Sequence, residues 1–154
     1  MNYQPETSKE VWGGVNTVIN TWLFERQELI RLYCDLTDLN DPAEFRFRLA
    51  KFCEVLVDYT SAGHFEVFTG IEHEAHVFDE RELKIIKTIY PHLTRTTEVI
   101  LWFNDQCEYL NTNPASTERV RADLSYLGET LSERFDLEDR LISSVHKRNQ
   151  PIVN

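Results

Sequence analysis

The sequence predicts an all-α protein, an antiparallel up-down four-helix bundle with short N- and C-terminal extensions. Three observations carry that prediction. Apolar residues recur at steps of three and four over long stretches, the spacing that lines one face of a helix. Glycine is scarce, with five in 154 residues, and the five prolines fall mostly between the amphipathic stretches. No stretch sustains polar–apolar alternation, and no Asn-Gly or Asp-Gly pair signals a hairpin. A chain of 154 residues has room for one core, so 1–154 is expected to form a single domain, with flexible ends near 1–7 and 149–154.

The first helix is expected from Ser8 to Leu36. Its seam is Trp12, Val15, Ile19, Trp22, Arg26, Leu29, Tyr33 and Leu36, with steps alternating between three and four, which keeps one stripe toward a neighbour. Gly13 and Gly14 weaken its first turns, so a bend or frayed start is expected there. The segment TDLNDP ends it. Asp41 can cap the second helix, with Pro42 at the first position, where a missing N–H is harmless. Phe45, Leu49, Phe52, Leu56, Tyr59 and Gly63 form its seam, and it should run to Phe68. Gly70 and the polar stretch IEHEAHVFDE are expected as a loop. Asp79 suits the cap of a third helix with the stripe Leu83, Ile86, Tyr90, Leu93, Ile100, Phe103 and Cys107. Pro91 removes one hydrogen bond from that helix and crowds the preceding turn, predicting a kink or break near 89–91. NTNPAS reads as a loop, and Ala115 or Ser116 opens a fourth helix. Its seam is Val120, Leu124, Leu127, Leu131, Arg134, Glu138, Leu141 and Val145. Short connections between long helices favour antiparallel neighbours.

Charge narrows the function. There are 26 acidic residues against 16 Lys and Arg, a net charge of −10. A nucleic-acid binder needs the opposite sign to neutralise phosphates, so no direct nucleic-acid binding is expected, and a basic protein partner is favoured. The acids concentrate in two places: six with one base between Glu66 and Glu82, and four with no base between Asp35 and Glu44. Such runs are ordinary solvated loop ends or a surface for a basic helical partner; the second reading makes association salt-sensitive. No run approaches the roughly 18 apolar residues of a membrane span, and the N-terminus lacks a secretory pattern. Cys34, Cys53 and Cys107 are far apart, odd in number and without a CxxC pair. They read as reduced core thiols in a cytoplasmic protein.

The informative residues are the polar ones at interior positions. Arg26, Arg134 and Glu138 occupy seam positions, Asp58 adjoins the seam residue Tyr59, and Ser61 and His64 follow. With the second and fourth helices running the same way, Asp58 and Glu138 each lie about 15 Å above the bottom at 1.5 Å per residue. Buried charges persist only when paired. Arg26, Asp58, His64, Arg134 and Glu138, with Tyr90 as a further candidate, therefore form a register-fixing network, or line a polar cleft, or, if the helices are misphased, lie on a solvated face. Spacing does not choose among these.

Catalytic and metal chemistry find little support. Di-iron bundles use Glu-x-x-His pairs, and no histidine here has an acid three residues before it. His73 and His76, with Glu72 and Glu74, have ligand spacing but read as a surface loop. Ser61 and His64 lack a nucleophile elbow and an oxyanion loop, and no phosphate-cradling loop occurs. No catalytic residue, metal or cofactor is expected; the alternative function is a metal or small molecule held in a polar interior cleft.

The segment LVDYTSAGHFEVF, Leu56 to Phe68, resembles the signature of the Rsd/AlgQ family, bacterial regulators of the primary sigma factor. The first-helix stretch WGGVNTVINTWLFERQELIRLY is similar to the AlgQ branch, and IYPHL, FNDQC and ERFDLEDRLI also fit. The resemblance runs from Trp12 to Val145. It implies an anti-sigma activity: binding of the free primary sigma factor through its region 4, with region 2 as a further contact, in competition with core RNA polymerase and promoter −35 recognition. Trp22 and Arg26 fit the family's W-L-x-x-R stretch. Asp58, Tyr59, Ser61, His64 and Phe65 fit its second-helix string, and Arg134, Phe135, Glu138 and Asp139 fit R-F-x-L-E-D. The resemblance thus implies that Trp22, Arg26, Asp58, Tyr59, Ser61, His64, Phe65, Arg134, Glu138 and Asp139 bind sigma or line its cleft. Asp58 is expected at the partner, oriented by His64 and Glu138.

Overall fold

The structure, a computed structural model, describes residues 8–73 and 78–149, with side chains described for 17–73 and 78–144. Helix α1 spans Ser8–Thr37 and α2 spans Pro42–Ala62. A π-helical segment, Gly63–Phe68, and the short α3, Thr69–His73, continue α2 as one rod. Helix α4 spans Glu80–Thr112; a 3-10 turn, Pro114–Ser116, leads into α5, Thr117–Asn149. Four long helical rods and no strand make up the described residues.

The expected caps set the helix starts. Asp41 is extended, and its carboxylate accepts from the Ala43 N–H at 3.3 Å, ahead of Pro42. Asp79 accepts from the Glu82 N–H at 2.8 Å. Each satisfies a donor that the first helical turn leaves without an internal partner.

The seams read from the spacing meet in one core. Ile19, Trp22, Leu29 and Leu36 of α1 are buried with Phe45, Leu49, Phe52, Leu56 and Tyr59 of α2. Helix α4 adds Ile86, Leu93, Ile100 and Phe103, and α5 adds Val120, Leu124, Leu127, Leu131 and Leu141. Each fully buried large apolar side chain contributes about 1.5–3 kcal/mol. Cross-helix contacts join the rods: Tyr33 meets Phe52, its hydroxyl donates to the Leu124 carbonyl at 3.0 Å, and Trp102 meets Tyr126 edge-on.

Four expectations change. Of the kink or break expected near Pro91, the break is absent: helix α4 passes through it continuously. Pro91 and Lys87, whose carbonyl loses its partner, are both exposed, so water can replace the missing bond. The loop expected from Gly70 is helical as far as His73, because Ile71 is fully buried and holds it to the core. Cys34 is exposed rather than a core thiol, since Tyr33 and Leu36 take the inward positions of that turn. Asn111 and Thr112 still belong to α4, so the expected NTNPAS loop shrinks to Asn113 and the 3-10 turn.

Gly13 and Gly14 lie within continuous helix. The side chains of Trp12, Val15 and Val145, the residues Glu74 and His76, and the ends at 1–7 and 150–154 lie outside the described residues; Asn149 closes α5.

The π-helical segment is the local departure that shapes the site. The Thr69 N–H and hydroxyl both donate to the His64 carbonyl, the hydroxyl at 3.0 Å, the i to i+5 pattern of a widened turn. Its first residue is Gly63, where a Cβ would stand 2.8 Å from the Trp22 ring. Only glycine lets the backbone lie that close to the indole. Among the described residues no helix is long and apolar enough to cross a membrane.

Candidate functional site

The misplaced polar residues of the seams are brought together at one level of the core. Arg134 and Glu138, one helical turn apart on α5, are both fully buried. Arg134 Nε donates to Glu138 Oε2 at 3.0 Å, while its Nη1 donates to Thr96 Oγ1 at 3.0 Å and Thr97 Oγ1 at 2.8 Å on α4. Glu138 Oε1 accepts from the Tyr59 hydroxyl at 2.5 Å and from Arg26 Nη2 at 3.0 Å. Arg26 Nε donates to the Tyr59 hydroxyl oxygen at 3.0 Å, and its Nη1 reaches the exposed Asp139 at 2.6 Å. Trp22 closes the set: its indole N–H donates to the Tyr59 carbonyl at 3.0 Å, and its ring stacks on Tyr59 with centroids 4.9 Å apart. Helices α1, α2, α4 and α5 are therefore tied by charge-assisted bonds, the stronger kind.

Every charge in this network has a partner, as burial demands. Burial pushes the Glu138 carboxyl upward, against the pull of Arg134, Tyr59 and Arg26. Burial and the Glu138 charge also raise the Tyr59 hydroxyl. For Arg26, burial favours proton loss, but Tyr59, Asp139 and Glu138 outweigh it and hold the guanidinium charged. Its face also rests on aromatic rings, 4.8 Å from the Phe135 centroid and 5.6 Å from Trp22. The arrangement holds charge in fixed positions and offers no nucleophile to a substrate.

Above this core the signature string turns outward. Asp58, Ser61, His64 and Phe65 are exposed, and Phe65 is 71% accessible, with its ring edge-to-face on His64 at 4.8 Å. Asp58 joins Glu25 of α1 and Glu66 in an acidic group; burial first, then Glu66 and Asp58, raise the Glu25 carboxyl above its ordinary range. Beside the π turn lies a cleft of about 360 Å³ lined by His64, Phe68, Thr69, Glu72, Tyr90, Leu93, Thr94 and Thr97. Burial and Glu72 raise the Tyr90 hydroxyl there. Phe68, Leu93 and Thr97 belong both to this cleft and to the surroundings of Arg134.

The network expected from the spacing is thus present in part and differently composed. Arg26, Arg134 and Glu138 meet, but Asp58 and His64 stand outside. Tyr59, one residue along and 100° around the helix from Asp58, takes the inward place. Glu138 is consumed by Arg26, Tyr59 and Arg134, so neither it nor His64, whose ring lies against Phe65, orients Asp58. Tyr90 lies in the cleft rather than the network. Thr96 and Thr97 were missed, although the α4 stripe as read skips from Leu93 to Ile100; the vacant step falls on them. Glu25 was also missed, and Glu66 was read only as the start of an acidic run; the fold, not the spacing, brings these surface acids together. No group of three or more His, Cys, Asp or Glu that could hold a metal occurs among the described residues.

Comparison with known proteins places this arrangement in context. The family described as "Regulator of RNA polymerase sigma(70) subunit, Rsd/AlgQ" matches residues 1–146. A protein of Yersinia enterocolitica named Regulator of sigma D is 34% identical over 140 residues, covering 84% of this chain and 81% of that one. A Yersinia pseudotuberculosis protein of the same name is 33% identical over 135 residues, covering 84% and 80%. One from Pectobacterium carotovorum is 32% identical over 148 residues, covering 93% of this chain and 97% of its own.

Proposed function

Because the chain belongs to the Rsd/AlgQ family, bacterial regulators of the RNA polymerase sigma(70) subunit, we propose that it is an anti-sigma factor that sequesters the free primary sigma factor. Its family makes it a transcription regulator and not an enzyme. In this reading it docks on sigma region 4, with region 2 as a further contact, and competes with core polymerase and promoter −35 recognition. Region 4 carries a helix-turn-helix whose DNA-binding surface is basic; the chain carries a net charge of −10. The same sign argues against direct nucleic-acid binding, and the action is assigned to the cytoplasm, where polymerase works.

The observation that carries this reading is the division of labour within the signature string. Tyr59 and Gly63 face inward to Trp22 and Glu138, while Asp58, Ser61, His64 and Phe65 are left on the surface, Asp58 beside Glu25 and Glu66 and His64 at the cleft against α4. An exposed aromatic, Phe65, next in the chain to Glu66 of the acidic group suits a basic helix with an apolar face, as sigma region 4 would present. Trp22, Arg26, Tyr59, Arg134 and Glu138 then act by holding that face rigid, and Asp139 sits at its rim on Arg26. The scaffold in this proposal is the up-down antiparallel bundle. Its support is that paired residues rise along one helix as they fall along the next: Trp22 with Tyr59 then Tyr33 with Phe52, and Thr96 with Arg134 then Gln106 with Arg119.

Calorimetric titration of the chain with its own organism's sigma region 4, at two salt concentrations, tests the proposal. Micromolar or tighter binding that weakens with salt is expected. Absence of binding to region 4 and to the full-length sigma factor would overturn it.

A further inference from the structure

We propose that Cys53 and Cys107 form a redox modification site, at which a hydroperoxide joins the facing thiols of α2 and α4 into a disulfide. The sequence gives no hint of it, because the two residues lie on different helices with no motif around either. The fold brings them together: both line one cleft of about 220 Å³ with Ala50, Asn104, Glu54 and Glu108, and Cys53 is among the neighbours that raise the Cys107 thiol. Both are free thiols, 6% and 8% accessible. The rim residues Glu54 and Glu108 are exposed, so the cleft opens to solvent and gives a small oxidant a path to buried sulfur. The neighbouring Phe52–Phe103 contact, with centroids 6.4 Å apart, holds the two helices together beside the pair.

The chemistry closes without a further reagent. One thiol gives up its proton and its sulfur attacks the distal peroxide oxygen; the O–O bond breaks, leaving a sulfenic acid and an alcohol, or water where the oxidant is hydrogen peroxide. The second sulfur attacks the first, expelling the hydroxyl as water and forming the S–S bond. Two thiols lose two electrons and two hydrogens, and one peroxide takes them up. The neighbouring Cys53, burial, and the charges of Asp123 and Glu108 push the Cys107 thiol up, so the reaction should be slow at neutral pH and faster in mild alkali. Cys34, exposed on α1 and not part of that cleft lining, is the residue available for cross-linking between molecules.

The test uses the full chain carrying Cys34→Ser, treated with hydrogen peroxide, unfolded, alkylated and mapped by mass spectrometry. Loss of two hydrogens in the monomer, loss of alkylation at Cys53 and Cys107 together, and a peptide joining them are expected. The melting midpoint should rise by several degrees and return on adding a dithiol reductant, and Cys53→Ala should abolish that shift. Mapping the unsubstituted chain in parallel guards against an effect of Cys34→Ser itself. Thiols that remain fully alkylated, that oxidise singly to sulfinic acid, or that link only between chains would overturn the proposal.

Discussion

The Tyr59 hydroxyl donates to Glu138 Oε1 at 2.5 Å while accepting from Arg26 Nε at 3.0 Å. One phenol oxygen therefore couples three helices, α1, α2 and α5, and Glu138, fully buried, has no exposed side from which water could replace it. Tyr59→Phe keeps the ring stacked on Trp22 but strips both bonds. It should lower stability by about 1–3 kcal/mol, the cost of leaving buried polar groups unsatisfied, with helix content unchanged. Combined with Glu138→Gln, the losses should fall short of additive, since both changes break one network. Urea titration of the two single variants and the double variant measures this directly.

The adjoining residue should behave in the opposite way. Asp58 is exposed and belongs to the acidic surface group, so Asp58→Ala should leave stability within about 0.5 kcal/mol. Affinity for sigma region 4 should fall about tenfold, equivalent to about 1.4 kcal/mol. Unchanged affinity with lowered stability would show that Asp58 serves the fold and not the partner.

Gly63→Ala places a methyl 2.8 Å from Trp22 Cζ2. The indole is pinned by its bond to the Tyr59 carbonyl and by the Tyr59 and Phe68 rings, so it cannot step aside cheaply. A loss of about 1–3 kcal/mol is expected, as for other overpacked cores. The Trp22 near-ultraviolet dichroism should change with it; a stability equal to that of the parent chain would mean the ring yields.

Glu25 gives a prediction whose sign depends on pH. Its carboxyl is raised in the folded protein by burial, Glu66 and Asp58, so the folded state holds the proton longer than the unfolded chain. Its contribution is fully present below the ordinary carboxylate value and is lost as pH rises through the raised one. Glu25→Gln should therefore raise the melting midpoint at pH 7 by about 1 °C and have little effect near pH 4. Binding to a basic partner should weaken at the same time. Melting curves at the two pH values, beside titrations at pH 7, separate these effects.

Much of the fold was legible because periodicity and capping are local properties. The 3–4 spacing located Arg134 and Glu138 inside, and the aspartates at 41 and 79 marked helix starts that their side chains do cap. The failures share a cause: the deciding contact lies on another helix. Pro91 marks a break only if the freed carbonyl is buried. Tyr59 counts as apolar in a seam, so its hydroxyl stayed hidden until Glu138 stood opposite. Cys53 and Cys107 carry no mark of the cleft they share. The π segment was invisible because a widened turn leaves the residue pattern intact up to the point where it begins.

That widened turn has a hereditary meaning. A π segment is an α-helix lengthened by one residue without lengthening the rod accordingly, so Gly63–Phe68 has the form of a single inserted codon kept in place. Deleting one codon there restores ordinary pitch while the residues beyond Phe68 keep their bearing, because the widened turn had absorbed the extra residue. Only the residues inside the segment, His64 and Phe65 among them, would change their bearing, although no residue type had been replaced. A chain without the extra residue would keep the same core and present a different face.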